Sequence, residues 1–89
     1  MFNKRRSEIQ IIGKILDVSK NGAKKTEILY QNNMSFSQLQ NYLSFLIEKN
    51  VIEENIVSNV NGTSNRMYVT TTKGCNLLED INRLYKYFK

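Results

Sequence analysis

The stretch Asn33-Met34-Ser35-Phe36-Ser37-Gln38-Leu39-Gln40-Asn41-Tyr42-Leu43-Ser44-Phe45-Leu46-Ile47-Glu48-Lys49 decides the fold. Ser35 with Gln38 three residues later is a capping-box pattern. The serine hydroxyl takes the amide of residue 38 and the glutamine side chain takes the amide of residue 35, so a helix starts there. At about 100° per residue, Phe36, Leu39, Tyr42, Leu43, Leu46 and Ile47 fill one arc of about 140°. Ser37, Gln38, Gln40, Asn41, Ser44 and Glu48 fill the other. The spacing predicts a helix over about 35–49 with one face for the core and one for solvent or a ligand. Phe45 breaks the pattern by lying among the polar residues.

On the N-terminal side, Asn32-Asn33 end a short helix predicted over about 24–31, in which Ile28 and Leu29 face inward and Tyr30 lies near the end. Only about three or four residues then separate the two helices. Further upstream Ile9, Ile12, Ile15 and Leu16 recur at helical spacing until Asn21-Gly22, which predicts a first helix over about 7–19. Ile11 and Val18 widen its apolar stripe, as expected of a helix covered on two sides.

On the C-terminal side the pattern turns β-rich. Ile56, Val57 and Val60, then Met67-Tyr68-Val69-Thr70, flank Asn61-Gly62-Thr63-Ser64-Asn65, predicting a hairpin over about 55–71 with Arg66 at the base of its tip. A last helix over about 72–88 carries Leu77, Leu78, Ile81, Leu84, Tyr85 and Phe88. Leu77, Ile81, Leu84 and Phe88 follow the spacing of a coiled-coil seam.

The chain has 89 residues, one domain's worth, and contains no His, no Trp and one cysteine, Cys75. Disulfide frameworks, Cys/His zinc sites and Ser-His or Cys-His catalytic pairs therefore cannot be built within one chain. No enzyme, no cofactor and no metal are expected. Cys75 is expected to pack as a small hydrophobe. The adjacent acids Glu53-Glu54 and Glu79-Asp80 are expected to be solvated, since neighbours in sequence point apart. A single cysteine, no long apolar run and no leader pattern predict a cytoplasmic protein with no membrane segment.

The net charge of +5 is uneven. Residues 1–25 carry seven Lys/Arg against Glu8 and Asp17, residues 26–54 carry Lys49 against four Glu, and residues 55–89 carry five bases against two acids. A basic surface favours an anionic partner, and each phosphate it neutralises releases counterions.

Helix, short helix, tight turn, capped helix, hairpin, helix is the order of a winged helix-turn-helix. The expected fold is mainly α with a β-hairpin, one domain over residues 1–89. In such a fold the third helix enters the major groove and the hairpin lies on the flanking backbone or minor groove. A specific resemblance is carried by Arg6-Ser7-Glu8-Ile9, Gly22-Ala23-Lys24-Lys25-Thr26-Glu27-Ile28-Leu29-Tyr30, Asn33-Met34-Ser35-Phe36-Ser37-Gln38-Leu39, Tyr42-Leu43, and Tyr68 with Thr71-Thr72-Lys73-Gly74. With these the chain resembles the small archaeal winged-helix DNA-binding proteins: the ten-kilodalton chromatin-associated proteins of Sulfolobus and archaellum-regulator-type domains. That resemblance implies double-stranded DNA as partner, no enzymatic activity, and homodimers paired through the final helix. Leu77, Ile81, Leu84, Tyr85 and Phe88 are the expected dimer residues. Chromatin-type members have a much longer terminal helix.

The residues themselves suggest how DNA is held. Lys24 and Lys25, at the start of the second helix, add countercharge where free amides already favour a phosphate. Ser37, Gln38, Gln40, Asn41 and Ser44 are candidate base readers, since Gln and Asn pair bidentately with adenine. Guanine readout is not expected, because the third helix has no Arg or Lys before Lys49. Arg66 suits a narrow minor groove or a phosphate, Lys73 a weaker phosphate contact, and Lys4, Arg5 and Arg6 a basic arm. The rival expectation is a protein-interaction module that uses the polar face of the third helix with Phe45.

Overall fold

A computed structural model describes residues 8–88. Helix α1 (Glu8–Val18) leads to α2 (Lys25–Asn32) and α3 (Phe36–Glu48), then to strands β1 (Ile52–Ser58) and β2 (Ser64–Thr70), and ends in α4 (Thr72–Lys86). The architecture is a winged helix: helices around one core with a two-stranded antiparallel hairpin at one side.

Each boundary has a local cause. Asn33 ends α2 in the left-handed region at φ 50°, where asparagine is tolerated, so the chain turns within Asn33, Met34 and Ser35. Ser35 Oγ accepts from the Gln38 amide at 3.2 Å and Gln38 Oε1 accepts from the Ser35 amide at 3.1 Å, the reciprocal cap expected from the sequence. Thr71 caps α4 by accepting from the Gly74 amide at 3.0 Å. Its hydroxyl donates to Asn50 O at 2.7 Å, tying the end of α3 to the start of α4.

The core comprises Ile15 and Leu16 of α1, Ile28 of α2, Leu39, Leu43 and Leu46 of α3, Leu78 and Ile81 of α4, with Ala23, Val51, Ile52 and Tyr68. Gly74 lets α4 approach the α3–β1 junction. A Cβ there would lie 2.1 Å from Val51 O, closer than atoms can come.

Several details differ from the sequence reading. The hairpin starts at Ile52, because Ile52 is buried and pairs with Thr70 although the intervening Glu53, Glu54 and Asn55 have low strand propensity. Its five-residue loop is therefore Asn59–Thr63, two residues earlier than the Asn61–Asn65 tip expected. Phe36, assigned to the core arc, is 59% exposed. It occupies the first helical position, where the arc has already run past the edge of the body. Ile9 is half exposed for the same reason at the start of α1. Glu54 is not simply solvated, as its contacts below show. Ile81 is buried against Gly13 of α1, so that part of the expected seam serves the chain's own core.

Candidate nucleic-acid interface

The interface begins with a contact no sequence pattern announces. Gly22, at φ +93°, swings the chain out of α1, and Ala23 then pairs with β2 as an isolated antiparallel bridge. The Ala23 amide donates to Tyr68 O at 2.9 Å and the Tyr68 amide donates to Ala23 O at 2.8 Å. This places the start of α2 beside the base of the hairpin. Lys24, Lys25, Thr26, Asn65, Arg66 and Tyr68 consequently line one open cleft of about 370 Å³.

Two carboxylates temper this basic cleft. The Lys24 amide donates to Glu27 Oε1 at 3.0 Å, so an acid already occupies one free amide at the head of α2. Glu54 Oε2 accepts from the Tyr68 hydroxyl at 2.9 Å and stands 3.5 Å from Arg66 Nη1. Burial, then the Glu54 carboxylate, push the Tyr68 phenol above its ordinary pKa, so it stays a donor. Arg66, at 65% side-chain exposure, remains open to solvent on its other side.

Lys25 reaches across to α3. Its ammonium donates to Gln40 Oε1 on α3 and lies 4.9 Å from the centre of the Phe36 ring and 5.9 Å from that of Tyr68. Gln40 Nε2 then donates to Ser44 Oγ at 3.3 Å, one turn along. The pairing links α2, α3 and the hairpin through one side chain. The electron-rich ring faces favour a cation at that spot.

The other base-reader candidates are placed differently. Ser37 is exposed at the head of α3, with its hydroxyl 3.5 Å from that of Ser35. Gln38 uses its carbonyl oxygen in the cap. Gln38 and Asn41 line a groove toward α1 with Glu8, Ile12, Tyr42 and Phe45, about 430 Å³ in volume. Desolvation, then the nearby Glu8 charge, raise the Tyr42 phenol pKa. Phe45 is 49% exposed, with Lys49 Nζ 5.7 Å from its ring centre. Lys73 donates to Lys49 O at 3.0 Å and so closes the end of α3. Lys4, Arg5 and Arg6 lie outside the described residues.

On α4 the expected dimer residues divide. Ile81 is buried, Leu77 and Tyr85 are half-buried, and Leu84 and Phe88 are exposed beside Tyr87. Cys75 is a half-buried free thiol. No helix among the described residues is long and apolar enough to cross a membrane.

Sequence reasoning missed Glu54 and the reach of Lys25. The first was available in principle from strand register, because Glu54 stands opposite Tyr68 and next to Arg66 on the same side. The second depends on how α2 crosses α3.

A family model described as winged helix-turn-helix matches residues 5–89. An uncharacterized protein of Methanocaldococcus jannaschii is 31% identical over 83 residues, which is 92% of this chain and 35% of that protein. The chain thus spans about a third of the length of that relative. Among solved structures, a PadR-like transcriptional regulator from Bacillus cereus superposes with a TM-score of 0.79 at 19% identity, covering 88% of this chain and 82% of that one. Sso10a-2, a DNA-binding protein from Sulfolobus solfataricus, gives a TM-score of 0.75 at 23% identity, covering 92% and 81%. The fold match to a Sulfolobus protein agrees with the resemblance seen in the sequence.

Proposed function

The chain belongs to the winged helix-turn-helix family, and from that premise we propose that it binds double-stranded DNA as a transcription regulator or nucleoid-associated protein. Helix α3 enters the major groove, and the hairpin lies on the flanking backbone or minor groove. Lys24 and Arg66 hold phosphates on either side of the cleft, and Ser37, Gln38, Gln40, Asn41 and Ser44 face the bases together with Lys25. The protein acts as a homodimer through α4, where Leu77, Leu84, Tyr85 and Phe88 meet a partner subunit while Ile81 belongs to the chain's own core. Its work is cytoplasmic, on the nucleoid, and involves no catalysis.

The observation that carries this reading is the Ala23–Tyr68 bridge, which gathers Lys24, Lys25 and Arg66 around one cleft beside the polar face of α3. A charged rim next to an uncharged, hydrogen-bonding helix face matches the division between phosphate contacts and base contacts in DNA recognition. The apolar groove at Phe45 favours a second reading, a protein-interaction module with α3 against another protein.

Fluorescence anisotropy of a labelled duplex of roughly 30 base pairs, titrated at several salt concentrations, tests the first reading. Two to three neutralised phosphates per protomer give a log–log slope of about −2 to −3. Absence of binding at low salt overturns the DNA reading and leaves the protein-interaction module.

A further inference from the structure

Helix α3 has no basic residue from Phe36 to Glu48, yet a cation sits on its outer surface. The Lys25 ammonium, delivered from α2, is fixed there by three neighbours on two other elements: the Gln40 carbonyl oxygen and the Phe36 and Tyr68 rings. We infer that Lys25 and Gln40 together read a guanine in the major groove, an assignment that rests on the DNA-binding reading above.

Which end of the Gln40 amide is free decides the base it pairs with. Bidentate pairing of glutamine with adenine needs its carbonyl oxygen to accept from N6 and its amide nitrogen to donate to N7. In this protein the oxygen is turned toward Lys25, and the nitrogen is steadied by Ser44. The pair therefore presents protons: one on Gln40 Nε2 and those left on the ammonium. Guanine offers two adjacent acceptors, N7 and O6, to such a donor pair. Adenine places a donor, N6–H2, against the ammonium. Lys25 thus supplies the basic reader that α3 lacks, and it reverses the adenine preference expected of an isolated glutamine.

The same logic separates the three amides of this helix. The Gln38 oxygen is taken by the Ser35 amide, and the Gln40 oxygen by Lys25. Asn41 makes no side-chain hydrogen bond among the described residues, so it keeps both ends for adenine. A guanine under Gln40 and an adenine under Asn41 then lie on neighbouring steps.

Selection from a duplex library with randomised central positions tests the assignment. It is run on the full chain and on Lys25→Met, Lys25→Arg, Gln40→Ala and Lys24→Ala, each checked for native circular dichroism. The wild-type protein is expected to enrich a guanine at one position of its site. Lys25→Met and Gln40→Ala lose that guanine by roughly 5- to 150-fold, the equivalent of one bidentate base contact at about 1–3 kcal/mol. Lys25→Arg retains it, and Lys24→Ala weakens every sequence alike. Replacing the enriched guanine by 7-deazaguanine, which lacks the N7 acceptor, weakens the wild type and leaves Lys25→Met unaffected. Uniform weakening of all sequences by Lys25→Met makes Lys25 a backbone contact and overturns the assignment, as does salt-dependent binding with no guanine enriched. In either case the DNA-binding reading stands. Failure of the wild-type protein to bind any duplex overturns both.

Discussion

The two flanks of α3 use similar residues and acquire opposite character. Toward α2 and the hairpin lie Phe36 and Gln40, joined by Lys25, with Lys24 and Arg66 close by. Toward α1 lie Gln38, Asn41, Tyr42 and Phe45, joined by Ile12 and Glu8. Each flank has an exposed phenylalanine and a glutamine. On the first the aromatic ring holds a cation over the helix surface; on the second it borders an apolar groove beside a carboxylate. Identical residue types thus hold a cation on one side and border a carboxylate on the other. The neighbouring element, more than the helix itself, decides which.

The largest effect is expected where α4 packs on the α3–β1 turn, the contact that ties the end of α3 to the base of the hairpin. Gly74→Ala drives a Cβ into the Val51 carbonyl, which is backbone and cannot yield. A loss of about 4 kcal/mol or more in urea unfolding is expected, a large part of the roughly 5–15 kcal/mol that holds such a domain together. Gly13→Ala is the control. Its nearest neighbour is the Ile81 γ2 methyl at 3.3 Å, which has to give by only a few tenths of an ångström, and alanine is the better helix former, so a change well below that of Gly74→Ala is expected, about 1 kcal/mol in either direction.

The comparison sharpens when one residue from each flank is removed. Lys24→Ala should weaken duplex binding roughly five-fold near physiological salt and reduce the salt slope by about 0.9, the share of one phosphate. Phe45→Ala should leave both within error; a large loss of DNA binding there, with Lys24→Ala inert, would exchange the roles of the flanks.

A smaller effect is expected at Glu54, which Arg66 must leave to reach a phosphate. Glu54→Gln keeps an acceptor for the Tyr68 hydroxyl and removes the charge, so duplex binding should tighten by about two- to five-fold, the scale of one exposed ion pair. Unchanged affinity in the same anisotropy assay would show that Arg66 does not contact DNA.

The smallest effect concerns pH. Tyr68 and Tyr42 both have phenols raised by burial and then by a nearby glutamate. The folded state therefore holds these protons more tightly than the unfolded chain. Stability from this source is fully present below about pH 10, the ordinary phenol value, and is lost as pH rises through the raised pKa values. Urea unfolding followed from pH 8 to 11 should show a flat region and then a decline, with a shallower decline in Tyr68→Phe.

The order of elements and the cap at Ser35 could be read from sequence because they depend on residues three or four apart. The core face of α3 was also visible, apart from Phe36. The site was visible only in part. Lys24, Lys25 and Arg66 stood out as charges, but their meeting depends on a backbone pair between Ala23 and Tyr68, 45 positions apart. Glu54 was read as solvated because its partners lie across a strand register that starts at Ile52, a residue outside the expected hairpin. Ile81 matched a seam by spacing alone, and spacing does not distinguish a partner helix from α1 of the same chain.

The most direct test of the account is to map a bound duplex on the protein by backbone and side-chain NMR. Shifts are expected to concentrate at Lys24–Thr26, Asn65–Tyr68, Ser37, Gln38, Gln40, Asn41 and Ser44, including the Gln40 side-chain amide, with Ile12, Tyr42 and Phe45 little changed. Shifts centred on Ile12, Tyr42 and Phe45, with the cleft between α2 and the hairpin silent, would contradict it.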